Sequence, residues 1–179
     1  MARVFPALLV TLFALLLLGA MFWAWRARKR RQSAFSRPVE APATDARGGV
    51  LARADVLYVA TTTAGDPLDR LTIPGLAFRG RGVATVWESG VSISIPGEPE
   101  TFVEKSRLRS IGTSTWAIDR VVETGGLVRL DWTFESSNGP ADVESYLRTI
   151  ELGDAARLIA AANTLVPHQG IPQQEGTSS

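Results

Sequence analysis

The stretch LVRLDWTF, Leu127 to Phe134, decides the fold. In an extended chain it puts Val128, Leu130, Trp132 and Phe134 on one face and Arg129, Asp131 and Thr133 on the other. A helix, repeating about every 3.6 residues, would mix the two sets. The stretch is therefore a strand with an apolar side and a wet side. Gly125-Gly126 ahead of it permits a tight turn from the preceding VVE.

The same period recurs upstream. Val91, Ile93 and Ile95 alternate with Ser92 and Ser94, which places the serines on a wet face. Val83, Thr85 and Trp87 form a neighbouring strand, with Glu88-Ser89-Gly90 as the hairpin turn between them. Asp55 to Thr62, DVLYVATT, is β-branched and apolar, and Thr101 to Glu104 and Val143 to Ile150 supply further strands. Turns every eight to twelve residues predict an antiparallel all-β run. The period then changes. In DAARLIAAANTLV, residues Ala155, Leu158, Ile159, Ala162, Leu165 and Val166 share one helical face. Asp154 at its amino end suits capping and the helix dipole, and Pro167 ends it. An amphipathic helix after about seven strands plugs the open corner of a small barrel.

The flanks read differently. Val4 to Trp25, VFPALLVTLFALLLLGAMFWAW, carries no charge, and as a helix it reaches about 33 Å, enough for the hydrocarbon core of a bilayer. Phe22, Trp23 and Trp25 gather at its end, as rings do at a headgroup interface. RARKRR follows, with Arg26, Arg28, Lys29, Arg30 and Arg31, whereas the amino-terminal flank offers only Arg3 and the α-amine. Basic residues stay on the cytoplasmic side, which predicts the amino terminus outside and 26–179 in the cytoplasm, anchored in the cell membrane. A cleaved signal peptide would carry its charge before the apolar run, and Leu18 stands badly for cleavage after Ala20. A basic cluster pinned to a bilayer can scarcely reach nucleic acid, but it can attract anionic lipid.

The boundaries follow: an anchor with its basic cluster over 1–31, a flexible linker over 32–50, a β-barrel domain over 51–166, and a disordered tail over 167–179 rich in Gln, Gly and Ser. Residues 1–50 hold eight bases against Glu40 and Asp45, and 51–179 hold eleven against sixteen acids. The basic character thus belongs to the anchor and the domain is mildly acidic. Seventeen of the nineteen basic residues are Arg, scattered as genomic codon bias scatters them rather than clustered for phosphate.

Little chemistry is legible. There is no cysteine, which removes disulfides, thiolate metal sites and cysteine nucleophiles. The only histidine, His168, falls in the tail, so a Ser-His system or a histidine zinc site has no support. No cofactor motif appears: FRGRG lacks the GxGxxG spacing, and there is no GxxxxGK[ST]. Asp66 and Asp69 in GDPLDR read as turn residues, with Asp69 and Arg70 as a solvated pair. Arg70, Arg79 and Arg81 are candidates to hold an anionic headgroup through charge-assisted forks, against the reading of solvated strand edge. Lys105, Arg107 and Arg109 make a second basic stripe, and Trp87, Trp116 and Trp132 read as core or cross-strand pairs.

YVATTTAGDPLDRLTIPGLAFRGRG, VVETGGLVRLDW and VESYLRT together resemble the bacterial PH-like domain proteins of actinobacteria. Members of that type are small single-pass membrane proteins, often encoded among pyrimidine-biosynthesis genes and labelled export or transporter proteins. The resemblance implies a pleckstrin-homology-like β-barrel of about seven strands capped by a C-terminal helix. It carries no catalytic residues to transfer. The expectation is a membrane-tethered, non-enzymatic interaction module with the bilayer and an unidentified protein as partners. A lipid-headgroup sensor is the alternative, and an export accessory or an unrecognised enzyme stands behind both.

Overall fold

The computed structural model describes residues 4–35, 41–114, 116–117, 120–121 and 127–166, without the side chains of 4–8, 10–11, 25, 28–33, 116–117 and 120–121. The expected tail at 167–179 lies outside the described residues. Helix α1 spans Val4–Ser33, and a short 3-10 helix spans Thr44–Arg47. The strands are β1 Val50–Thr63, β2 Asp66–Arg70, β3 Gly80–Trp87, β4 Gly90–Ser94, β5 Thr101–Glu104, β6 Leu108–Ser114, β7 Trp116–Ala117, β8 Arg120–Val121, β9 Leu127–Ser136 and β10 Gly139–Thr149. Helix α2, Asp154–Asn163, closes the order.

Eight strands form one antiparallel sheet in the order β5-β4-β3-β1-β10-β9-β6, with β2 also on β1, and β7 pairs β8 separately. The expected barrel of about seven strands is instead an open sheet of eight. Its two edge strands, β5 and β6, are neighbours in sequence, joined only through Lys105-Ser106-Arg107. The sheet must therefore curl until its edges meet at that corner. There the Lys105 N–H donates to the Ser89 carbonyl at 2.9 Å, and the Thr133 N–H donates to the Arg107 carbonyl at 2.9 Å. Beyond the corner the edges part, since β6 takes its partners from β9 and no ladder joins it to β5. Helix α2 fills the gap with Leu158 and Ala162, both buried.

In β9 the core face is the expected one: Val128, Leu130, Trp132 and Phe134 are buried while Arg129 and Thr133 are half-exposed. Ser92, expected on a wet face, is buried beneath Trp87, whose Nε1–H donates to its Oγ at 3.0 Å, and Glu100, and Arg47 from the segment before β1 lies against both of these. Gly90 is not needed for a left-handed turn. A Cβ there would stand 2.2 Å from the Val103 carbonyl oxygen, so only glycine lets β4 and β5 approach. Asp154, expected as a cap, is the first helical residue: it is buried and ion-paired with Arg157, and the cap itself is Gly153 at φ 86°.

One polar chain runs through the core. Trp132 Nε1–H donates to Ser145 Oγ at 2.9 Å, Ser145 Oγ lies 2.7 Å from Thr61 Oγ1, and Thr61 Oγ1 lies 3.0 Å from Tyr58 Oη. Tyr58 Oη–H then donates to the Leu76 carbonyl at 2.7 Å. Protons directed from Trp132 towards Leu76 use each hydrogen once. Burial pushes the Tyr58 phenol up to about 12, so it stays neutral while the chain is folded. These bonds cross β9, β10, β1 and the loop before β3, and they fix the sheet register from inside. Ser145→Ala leaves the indole N–H without an acceptor, and it should lower the unfolding free energy by about 1–3 kcal/mol in urea titrations followed by tryptophan fluorescence. Unchanged stability would remove the chain from the account of the fold.

Candidate functional site

Three surfaces gather charge. The first lies where composition predicts a loose linker. Residues 41–49 fold over β3, β4 and β5, because Arg47 is buried at 6% exposure. Its guanidinium donates to Glu100 Oε1 at 2.9 Å and Oε2 at 2.8 Å, and its Nε–H donates to the Pro42 carbonyl at 2.8 Å. The Trp87 and Phe102 rings lie with centroids 5.4 Å from its Cζ, within range of a cation–π contact. Three bonds to the backbone complete the latch: Ser89 Oγ–H to the Arg47 carbonyl at 2.8 Å, Gly49 N–H to the Glu88 carboxylate Oε2 at 3.0 Å and Glu88 N–H to the Gly49 carbonyl at 3.0 Å. The Arg47 hydrogen bonds hold the Glu100 carboxyl below the usual carboxylate range.

The second surface is a cavity of about 470 Å³ on the outer face of β6, β9 and β10, with Asp131, Asp142, Glu144, Arg109 and Ser110 in its wall. Each acid is already engaged. Asp131 Oδ2 accepts the Ser110 hydroxyl and Arg129 Nη2–H at 3.0 Å, and Oδ1 lies 2.9 Å from Arg129 Nε as an ion pair; Asp142 pairs with Arg109 and accepts Thr133 Oγ1–H at 3.0 Å. Glu144 accepts Tyr146 Oη–H at 2.6 Å and the Gly65 N–H at 3.2 Å. Among the described residues no group of three or more His, Cys, Asp or Glu could hold a metal ion. Arg109 thus belongs to this wall, whereas Lys105 and Arg107 occupy the turn between β5 and β6.

The third is a cleft of about 280 Å³ lined by Leu57, Arg81, Arg148, Thr149 and Ile150. Arg81 and Arg148 face Leu57 from opposite sides, one on β3 and one on β10. Arg70 and Arg79 are not in its lining. Arg70 stands opposite Thr62, about 16 Å along β1 from Leu57, and donates to the Ala77 carbonyl at 3.4 Å; Arg79 is exposed just before β3. Sequence reading missed Arg148, whose partner position on β1 lies 91 residues away. Asp66 accepts the Leu68 N–H at 3.2 Å, and Asp69 accepts the Thr63 hydroxyl at 2.9 Å rather than pairing with Arg70. Trp132 is core; the side chain of Trp116 and the residue His168 lie outside the described residues.

Helix α1 ends directly on the domain. Phe35 packs on Phe134 with ring centroids 5.2 Å apart, and the Ser137 N–H donates to the Ala34 carbonyl at 3.0 Å. Along α1 every side chain from 12 to 24 is exposed, Phe22 at 58% and Trp23 at 79% among them, and Arg26 is exposed as well. The side chains of Trp25, Arg28, Lys29, Arg30 and Arg31 lie outside the described residues. Among the described residues no helix is long and apolar enough to cross a membrane; within α1 the described side chains run continuously only over 12–24.

The sequence model of one family, described as Bacterial PH domain-like, matches residues 36–163, which is most of the chain. No curated protein and no solved structure matches it.

The Arg47 latch carries a pH dependence. The Glu100 carboxyl is more acidic in the folded chain, so its contribution is fully present above the ordinary glutamate value. It is lost as pH falls through the depressed one. Hydrogen exchange at the amides of Glu88 and Ser89, which donate to the Gly49 and Arg47 carbonyls, should therefore accelerate, after correction for intrinsic rates, on acidification through that window. Glu100→Gln should exchange faster already at neutral pH and lose the dependence. A variant that exchanges like the wild type would show that the latch is held by the backbone bonds alone.

Proposed function

The chain belongs to the bacterial PH domain-like family, and from that membership we propose a membrane-anchored, non-enzymatic interaction module with its domain in the cytoplasm. The observation that carries the reading is α1. Its described side chains from 12 to 24 are all apolar and all exposed. A helix apolar all round belongs in a core or in a bilayer. The sequence of 4–25 as a whole has the length for the second, at about 20 residues per span. The cluster Arg26, Arg28, Lys29, Arg30 and Arg31 then keeps the following residues on the cytoplasmic side.

The same reading changes what the domain can do at the membrane. A chain of nineteen flexible residues would let it roam about 25 Å. With Phe35 seated on Phe134 and Arg47 held by Glu100, the attachment is short and oriented instead. The acids of the large cavity are all engaged, two in ion pairs and Glu144 in hydrogen bonds, which supports a surface for recognition rather than a site for proton transfer. The finer resemblance, to actinobacterial members encoded among pyrimidine-biosynthesis genes, belongs to the same proposal and rests on the three stretches quoted above. The competing reading, a headgroup sensor built on Arg70, Arg79 and Arg81 together, draws less support from a cleft that holds Arg81 with Arg148.

Membranes from cells expressing the full chain should retain it through an alkaline carbonate wash. Protease should digest the domain only from the cytoplasmic side. Release by carbonate would overturn the anchor, and digestion in intact cells would overturn the orientation.

A further inference from the structure

We propose that the cleft between Arg81 and Arg148 is a binding site for a phosphate group. The two residues lie on strands that flank β1, each opposite Leu57, so their Cα atoms stand about 9.6 Å apart on one face of the sheet. That spacing lets two guanidinium groups converge over the Leu57 side chain from opposite sides. Both arginines are exposed, and among the described residues no acidic side chain forms an ion pair with either. Four other arginines, Arg47, Arg109, Arg129 and Arg157, each have an acid within reach. Two like charges in one small cleft, with no acid paired to either among the described residues, raise each other's electrostatic energy, and a bound anion relieves that cost.

The geometry selects among anions. A planar carboxylate is satisfied by one guanidinium fork, whereas a tetrahedral oxyanion can present oxygens to two forks arriving from opposite sides. Phosphate is that chemistry. The floor and rim are apolar: Leu57 is half-buried between the arginines, Ile150 lines the cleft at 48% exposure, and Leu152 beyond it is fully exposed. The cleft thus suits a phosphate ester with an apolar substituent better than the free ion. Asp55, exposed two positions along β1 on the same face, opposes the anion but leaves the two-to-one excess of positive charge. The proposal stands on the sheet register and is independent of the anchor and topology.

The test uses the full chain in a neutral detergent, isotopically labelled, with NMR titration of inorganic phosphate, of dihexanoyl phosphatidylglycerol and of dihexanoyl phosphatidylcholine. Saturable shifts are expected at the amides of Leu57, Arg81, Arg148 and Thr149. The R81Q/R148Q double variant should weaken binding about tenfold or more with the rest of the spectrum unchanged. Arg53→Gln, which removes one exposed charge from the same face of β1, should bind as the wild type. Tighter binding of phosphatidylglycerol than of inorganic phosphate or phosphatidylcholine identifies a lipid headgroup as the source. Equal binding of inorganic phosphate identifies a soluble phosphate. No saturable shift with any of the three overturns the site, as does an R81Q/R148Q variant that binds like the wild type or an R53Q variant that loses as much as the double variant.

Discussion

Strand β1 carries the structure, because it is paired along both edges. Over Val56–Thr63 it is hydrogen-bonded to β10, and over Val50–Tyr58 to β3, with β2 added beyond. Every other strand of the sheet reaches β1 through one of these ladders. A slip of one residue would turn Val56 and Tyr58 outward and bring Leu57 in, so the register cannot drift without emptying the core. The hydroxyl and indole chain from Trp132 to Leu76 adds a second lock at the centre, where a misplaced polar group would remain unpaired.

From that register follow the features with functional weight. Doubly flanked Leu57 brings Arg81 and Arg148 to one cleft. The opposite end of the same sheet, at Phe134 and Ser137, receives the end of α1. Edge strands that meet only at one corner leave an opening that α2 fills, so the fold is a curled sheet with a plug. The domain therefore meets the end of α1 near Thr63 and holds the arginine cleft about 20 Å away by strand rise.

Local period sufficed for much of this. LVRLDWTF placed four side chains in the core correctly, and the alternation at Val91 and Ile93 did the same, because a strand's two faces are written into consecutive residues; on β3, however, the core face is Ala84 and Val86, not the alternating Val83, Thr85 and Trp87. Strand β6 was not visible, since LRSIGTS has a glycine and a bulge in place of clean alternation. Ser92 misled because its face is covered by a segment distant in sequence. The stretch 32–50 has the composition of a linker, yet within its described part, residues 41–49, Arg47 is held by a carboxylate 53 residues away. Nothing local marks that arginine apart from the others.

The sequence by itself determined the uncharged helix and its basic end, the strand faces and the terminal amphipathic helix, because each depends on residues a few positions apart. Only the tertiary structure decided that the sheet stays open, that the segment before β1 is latched, and which arginines share a cleft. Those outcomes depend on strand order and register, which set residues tens of positions apart against one another, and short-range period carries no information about such distances.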